Sequence, residues 1–451
     1  MTRRLSRREA LAVGGAAAFG ALAGCSGAGG EPRFWNDPPS LDVDAVPTAF
    51  DASPPERPRV VPVDFDPGAT AAFADRVERL LSPIPEPLTA ETLPNGEIRK
   101  QIETERTAAR EALPAPAASQ VPLLAAERYA TARDHAAAAV GTWAAVTVEG
   151  DPGSVTATIG TVRRRAHETL ESLPGTASDP IAGGAVYGPI ERWYDESRRR
   201  TLVGGAASVE GRADPLRAGE SVGEVERVQS YVEAGRYLRD RYRASLAQPR
   251  PVADPLADAA ERIGAEIRDR LRELHGGDTE RLRSNPGVEA LLDDRPIARD
   301  APSVSLLSRA LYRTFEDVRF DPIPIEDRRP ENPATALTRT LLARVRLRGL
   351  DAVASLIEEG ETLFPGDAAA VGEARDAAIG SAGALAASEN PLDRWLATRF
   401  LPRFGAPDVR LAATDPDARD AAEAFAEYRW IEAIARESKP VTTSLAESLG
   451  S

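Results

Sequence analysis

The chain has 451 residues, 56 of them Lys or Arg and 70 Asp or Glu, for a formal net charge of −14. That acidity argues against nucleic acid as a partner, since phosphates would be repelled and no counterions released. A single cysteine excludes an internal disulfide, so the fold rests on a hydrophobic core, and this length leaves room for two packed units.

The first predicted element is a targeting segment. Arg3, Arg4, Arg7 and Arg8 form a basic head, a mildly apolar run extends from Ala10 to Ala23, and Leu22-Ala23-Gly24-Cys25 closes it. About a dozen apolar residues are too few to span a bilayer as a permanent helix. Ser6-Arg7-Arg8-Glu9-Ala10-Leu11 resembles the twin-arginine export signal. Thr2-Arg3-Arg4 is a poorer second pair, because Ser6 and Arg7 stand where apolar residues belong. Leu22-Ala23-Gly24-Cys25 resembles the lipobox of prokaryotic lipoproteins.

These resemblances cover roughly the first twenty-five residues. They imply that Arg7 and Arg8 are read by the export machinery, and that cleavage leaves a lipid-modified Cys25 as the first mature residue. The membrane is then a partner through the lipid, and the address is the outer face of the cytoplasmic membrane. Burial of acyl chains at about 0.8 kcal/mol per CH₂ would hold the protein there. A plain cleaved signal with a chance Cys is the alternative. Ser26-Gly27-Ala28-Gly29-Gly30 reads as a flexible spacer, and no later segment approaches eighteen unbroken apolar residues.

Without residues 1–24 the chain carries 52 basic and 69 acidic residues, a net charge of −17, and over the full chain Arg outnumbers Lys by 54 to 2. This balance resembles that of proteins exported by halophilic archaea. Surface carboxylates hold water and hydrated cations in strong salt.

The remaining chain divides into a Pro/Gly-rich tether, 25–66, and two helical subdomains, 67–250 and 251–451. The break is set at Gln248-Pro249-Arg250-Pro251, with Gly276-Gly277 and 322–333 as weaker alternatives. The lead-in is punctuated by Pro38-Pro39, Pro54-Pro55 and Pro58. It ends in Val60-Val61-Pro62-Val63, a lone strand lying on the domain surface.

From Pro67 onward the apolar spacing is helical. It predicts helices over 69–82, 97–113, 118–147, 153–173, 180–204, 220–247 and 255–275, then over 302–318, 333–361, 367–387, 391–402 and 416–438. The fold class is therefore all-α, a bundle or array of about a dozen helices. Six Asp-Pro or Asn-Pro pairs mark helix starts: 151–152, 179–180, 254–255, 332–333, 390–391 and 415–416. In each, a side-chain oxygen can accept a first-turn N–H while Pro forfeits no hydrogen bond.

Few residues carry chemistry on their face. Gly219-Glu220-Ser221-Val222-Gly223 matches the G-x-S-x-G of serine hydrolases, but no buried strand precedes it and only His275 follows. A helix-entry loop accounts for it better. His135, His167 and His275 lack metal-site spacing, so no metal or cofactor is assigned.

Arginine clusters stand out at 163–165, 198–200 and Arg339/Arg344/Arg346/Arg348. Arg344 and Arg348 share a helical face and need something negative opposite, which is an anionic ligand, a lipid headgroup or acidic side chains of a neighbouring helix. Glu191-Arg192-Trp193-Tyr194-Asp195-Glu196 reads as a helix anchored in the core by Trp, with a sugar or cation cleft as the alternative.

No nucleotide loop, cofactor fingerprint or triad is legible. The favoured reading is a non-catalytic, lipid-anchored helical module that binds a protein, an envelope component or a solute. The alternatives are an exported hydrolase using carboxylates from separate helices, and an anion-binding lipoprotein serving a transporter. A pocket of convergent, unpaired arginines would favour the anion binder, whereas closely spaced buried carboxylates would favour the enzyme.

Overall fold

The structure is a computed structural model. It describes residues 41–42, 45–46, 52–115, 120–147, 164–165, 167–168, 173, 175–210, 214–274, 301–319, 331–358, 363–413 and 416–450. Cys25, Arg7 and Arg8, the Asp151-Pro152 pair and most of the 153–173 helix lie outside the described residues, as does His275.

The molecule is all-α. Among the described residues there are twelve α-helices, and the β-structure is one antiparallel pairing of β1 (Thr176–Ala177) with β2 (Arg250–Pro251). The first half contains α1 (Pro67–Leu81), α2 (Gly96–Ala112), α3 (Pro122–Val146), α4 (Pro180–Glu210) and α5 (Pro215–Ser245). The second contains α6 (Ala253–Leu274), α7 (Pro302–Arg319), α8 (Pro333–Glu358), α9 (Ala368–Ala386) and α10 (Pro391–Phe400). A 3₁₀ turn (Leu401–Phe404) leads into α11 (Gly405–Leu411) and α12 (Ala418–Gly450).

Side-chain caps explain where these helices begin. Asp66 accepts from Ala69 N at 2.8 Å and Pro67 follows, while Asn390 accepts from Leu392 N at 2.9 Å ahead of Pro391. Asp179 caps α4 through Ala182 N at 2.8 Å, and Asp214 caps α5 through Leu216 N at 3.0 Å. Each oxygen satisfies a first-turn donor that has no partner within its helix.

Two of the six predicted starts are displaced. α6 begins at Ala253, which puts Asp254-Pro255 inside its first turn. α12 begins at Ala418, where Asp417 and Asp420 each accept the other's backbone N–H in a reciprocal box. α12 also runs through Pro440 to Gly450, past the predicted end at 438. Val441, Thr442 and Leu445 are buried beyond the proline, and their packing outweighs the one lost backbone bond.

α3 and α5 make the most intimate crossing, and α1 and α2 pack on α3 to enclose a satellite core around Val77, Leu81, Ile102 and Ala136. α8 is the hub of the second half, touching α4, α6, α7 and α12. α4 packs against both α5 and α8, so the main core is continuous between the halves.

The lead-in also differs from expectation. Residues 52–66 form neither helix nor strand and bend at 61–62, and Val60, Val61, Val63 and Phe65 are buried. Phe65 stacks on Tyr237 at 5.2 Å and meets Phe73 and Tyr129 edge-on at 5.5 and 6.2 Å. Arg375 donates to Ala52 O at 2.6 Å and Arg394 to Arg59 O at 2.9 Å, which ties the same segment to α9 and α10. The prolines remove the donors a strand ladder would need, and apolar side chains draw the strap inward.

An arginine-lined pocket between the two halves

A cavity of about 310 Å³ opens where α3, α4, α8 and α10 meet the lead-in. Arg192 comes from α4, Arg339 and Arg346 from α8, Arg399 from α10 and Arg57 from the lead-in. Glu127 of α3 is the one carboxylate among the lining residues. Trp193, Trp395, Leu123 and Leu342 supply apolar wall.

Local structure explains how each group arrives. Asn390-Pro391 starts α10 so that Leu392, Trp395 and Leu396 are buried, which brings Arg399 to the pocket near the helix end. On α8, Arg339 and Arg346 are seven residues apart and share a face. On α4, Trp193 is buried and stacks on Tyr231 at 5.3 Å, which fixes the helix rotation that presents Arg192.

Glu127 is held by Arg57 through contacts of 2.5 and 3.2 Å. Arg192 and Arg399 have no ion-pair or hydrogen-bond partner among the described residues, and Arg192 Nε is fully buried. Burial pushes the Arg399 guanidinium down to about 9, and the positive charges of Arg192, Arg346 and Arg57 push the same way against Glu127. Buried or crowded cations without counterions are costly, and the cost is relieved when an anion enters.

A second buried arginine shows the contrast. Arg133 donates to Glu226 at 2.6 and 2.9 Å and to Glu233 at 2.5 Å, and Arg76 grips Glu226 at 2.8 and 3.1 Å. Burial works against ionisation of Glu226, but Arg76 and Arg133 outweigh it and hold the carboxyl below its ordinary range. This network is satisfied and clamps α1, α3 and α5, whereas Arg192 and Arg399 of the pocket have no such partner among the described residues.

The other residues singled out in the sequence have structural positions. Arg344 pairs with Glu266 at 3.1 Å and Arg348 with Glu437 at 3.4 Å, and neither lines the pocket. His135 Nδ1 lies 2.7 Å from Glu105, and among the described residues no group of His, Cys, Asp and Glu is arranged to hold a metal.

Gly219–Gly223 lies inside α5, not in a loop at its entrance. A Cβ at Gly219 would sit 2.1 Å from Thr142 Oγ1, and one at Gly223 would sit 2.8 Å from Asp134 O. The two glycines, with Gly141 opposite, let α3 and α5 cross in near contact, and Ser221 Oγ donates to Arg217 O in its own helix. The match to a hydrolase turn is therefore a helix-crossing motif.

Glu191, next to Arg192, is fully buried and faces the first turn of α8, where Oε2 accepts from Thr335 N at 2.7 Å. It replaces the side chain of Asn332, whose Oδ1 is buried without a partner. Burial raises the Glu191 carboxyl to about 8 despite the Thr335 and Ala334 donors, and its Oε1 is likewise unpartnered.

Two family models match the chain. Residues 69–248 match a domain of unknown function, DUF8262, and residues 253–447 match another, DUF8264. No curated protein and no solved structure matches it. Leu123, Glu127 and Arg192 of the pocket lie in the first matched segment, Arg339, Arg346 and Arg399 in the second, and Arg57 precedes both.

Proposed function

We propose that this protein is a lipid-anchored binder of an anionic solute on the outer face of the cytoplasmic membrane, holding its ligand for a membrane partner such as a transporter. The observation that carries the reading is the convergence of Arg192 and Arg399, both without counterions among the described residues, in one cavity. Guanidinium forks match carboxylate and phosphate oxygens in a low-dielectric setting, where each charge-assisted bond is strong. The exported hydrolase is less well supported, because the single lining carboxylate, Glu127, is already gripped by Arg57.

The anchor rests on Cys25 and the export signal on Arg7 and Arg8. Protein extracted from its own membranes should carry a small anion detectable by native mass spectrometry, and the Arg192→Gln/Arg399→Gln variant should lose it. An identical mass profile for the two proteins would remove the basis for the reading. Cys25→Ser should release the protein from membranes or leave an uncleaved precursor, as read by fractionation. Arg7→Lys with Arg8→Lys should leave it inside the cell.

A further inference from the structure

The same pocket restricts the kind of anion it suits. We infer that its ligand is a compact organic dianion, a dicarboxylate or a phosphomonoester on an apolar body; this rests on the anion-binding reading above. Charge comes first. Two guanidinium groups, Arg192 and Arg399, lack counterions among the described residues, so one negative charge on the ligand would leave one of them uncompensated in the cavity. A third negative charge would face Glu127, which already occupies Arg57. The balance favours two.

Size and wall chemistry exclude a bare inorganic ion as the best fit. An inorganic oxyanion fills the space of a few waters, at about 30 Å³ each. The cavity of about 310 Å³ would stay mostly wet around it. Trp193, Trp395, Leu123 and Leu342 gain nothing from sulfate but lose water against a hydrocarbon face.

The hydroxyls sharpen the division of labour. Thr338 Oγ1 donates to Ala334 O at 3.0 Å and Thr398 Oγ1 to Trp395 O at 2.6 Å. Their protons are engaged within their own helices, so the guanidinium groups are left to bind the charged ends.

Calorimetric titration of the full protein at constant chloride tests this with four probes. Sulfate has two charges and no body, benzoate a body and one charge, and phthalate and phenyl phosphate have both. Phthalate or phenyl phosphate should bind at least tenfold more tightly than sulfate and benzoate. Arg192→Gln or Arg399→Gln, each checked for helicity, should bring the dianion down to the level of benzoate. Sulfate binding as tightly as the aromatic dianions would overturn the requirement for a body, and benzoate binding as tightly would overturn the requirement for two charges; either result leaves anion binding standing. No heat with any of the four would sink the anion-binding reading itself.

Discussion

Glu191 is the side chain whose setting has the clearest consequence for pH. Its carboxyl sits at about 8 in the fold against a reference of 4.5, so the folded protein holds that proton more tightly than the unfolded chain. The stabilisation is complete below about 4.5 and is lost as pH rises through about 8, with a slope of up to about 1.4 kcal/mol per pH unit. Glu191→Gln should flatten that slope in denaturant titrations between pH 5 and 9; an unchanged slope would refute the assignment. His135 works in the same direction. Its hydrogen bond to Glu105 raises its pKa, so its contribution is full below 6.5 and fades as pH passes the raised value. Arg133 shows what a satisfied buried charge demands: Arg133→Ala removes its charged hydrogen bonds and leaves Glu226 to Arg76 alone, and should cost about 1.5–3 kcal/mol, read as a lower unfolding midpoint.

At the scale of elements, the crossing of α3 on α5 decides between two readings of one pentapeptide. Gly219→Ala drives a methyl into Thr142 and should destabilise the fold by about 1–3 kcal/mol. Ser221→Ala removes only a bond within its own helix and should stay within about 0.5 kcal/mol. A large loss on Ser221→Ala with none on Gly219→Ala, measured by thermal unfolding, would reverse the assignment. The sequence carried a signal that would have placed these glycines inside a helix. Asp214-Pro215 is the same start mark as the six pairs recognised, and it begins α5 five residues before the predicted 220. Spacing also sorts the arginines of α8. Residues 339 and 346 fall on one side, 344 and 348 on another, but nothing local says which side meets Glu266 and Glu437 and which meets a cavity.

For the whole molecule, the shared core matters more than the boundary between matched segments. α4 packs on both α5 and α8, and the lead-in is fastened to α3, α5, α9 and α10, so neither half closes its apolar surface alone. The protein should therefore unfold in one calorimetric transition, and Phe65→Ala should lower that transition by the equivalent of about 3–5 kcal/mol. Two separated transitions, with only one shifted by Phe65→Ala, would show the halves to be independent.

What the amino-acid order determined by itself was local: the apolar period that makes nearly every segment a helix, the Asp or Asn caps that start several of them, the scarcity of alternating strand patterns, and the exclusion of an internal disulfide. These depend on residues within a turn or two of each other, so they can be read along the chain. The pocket was decided only in three dimensions. It assembles Arg57, Arg192, Arg346 and Arg399 from positions far apart, and leaves Arg192 and Arg399 without counterions among the described residues, the lining carboxylate Glu127 being held by Arg57. An arginine's partner is chosen by packing and burial, and neither is a property of its neighbours in sequence.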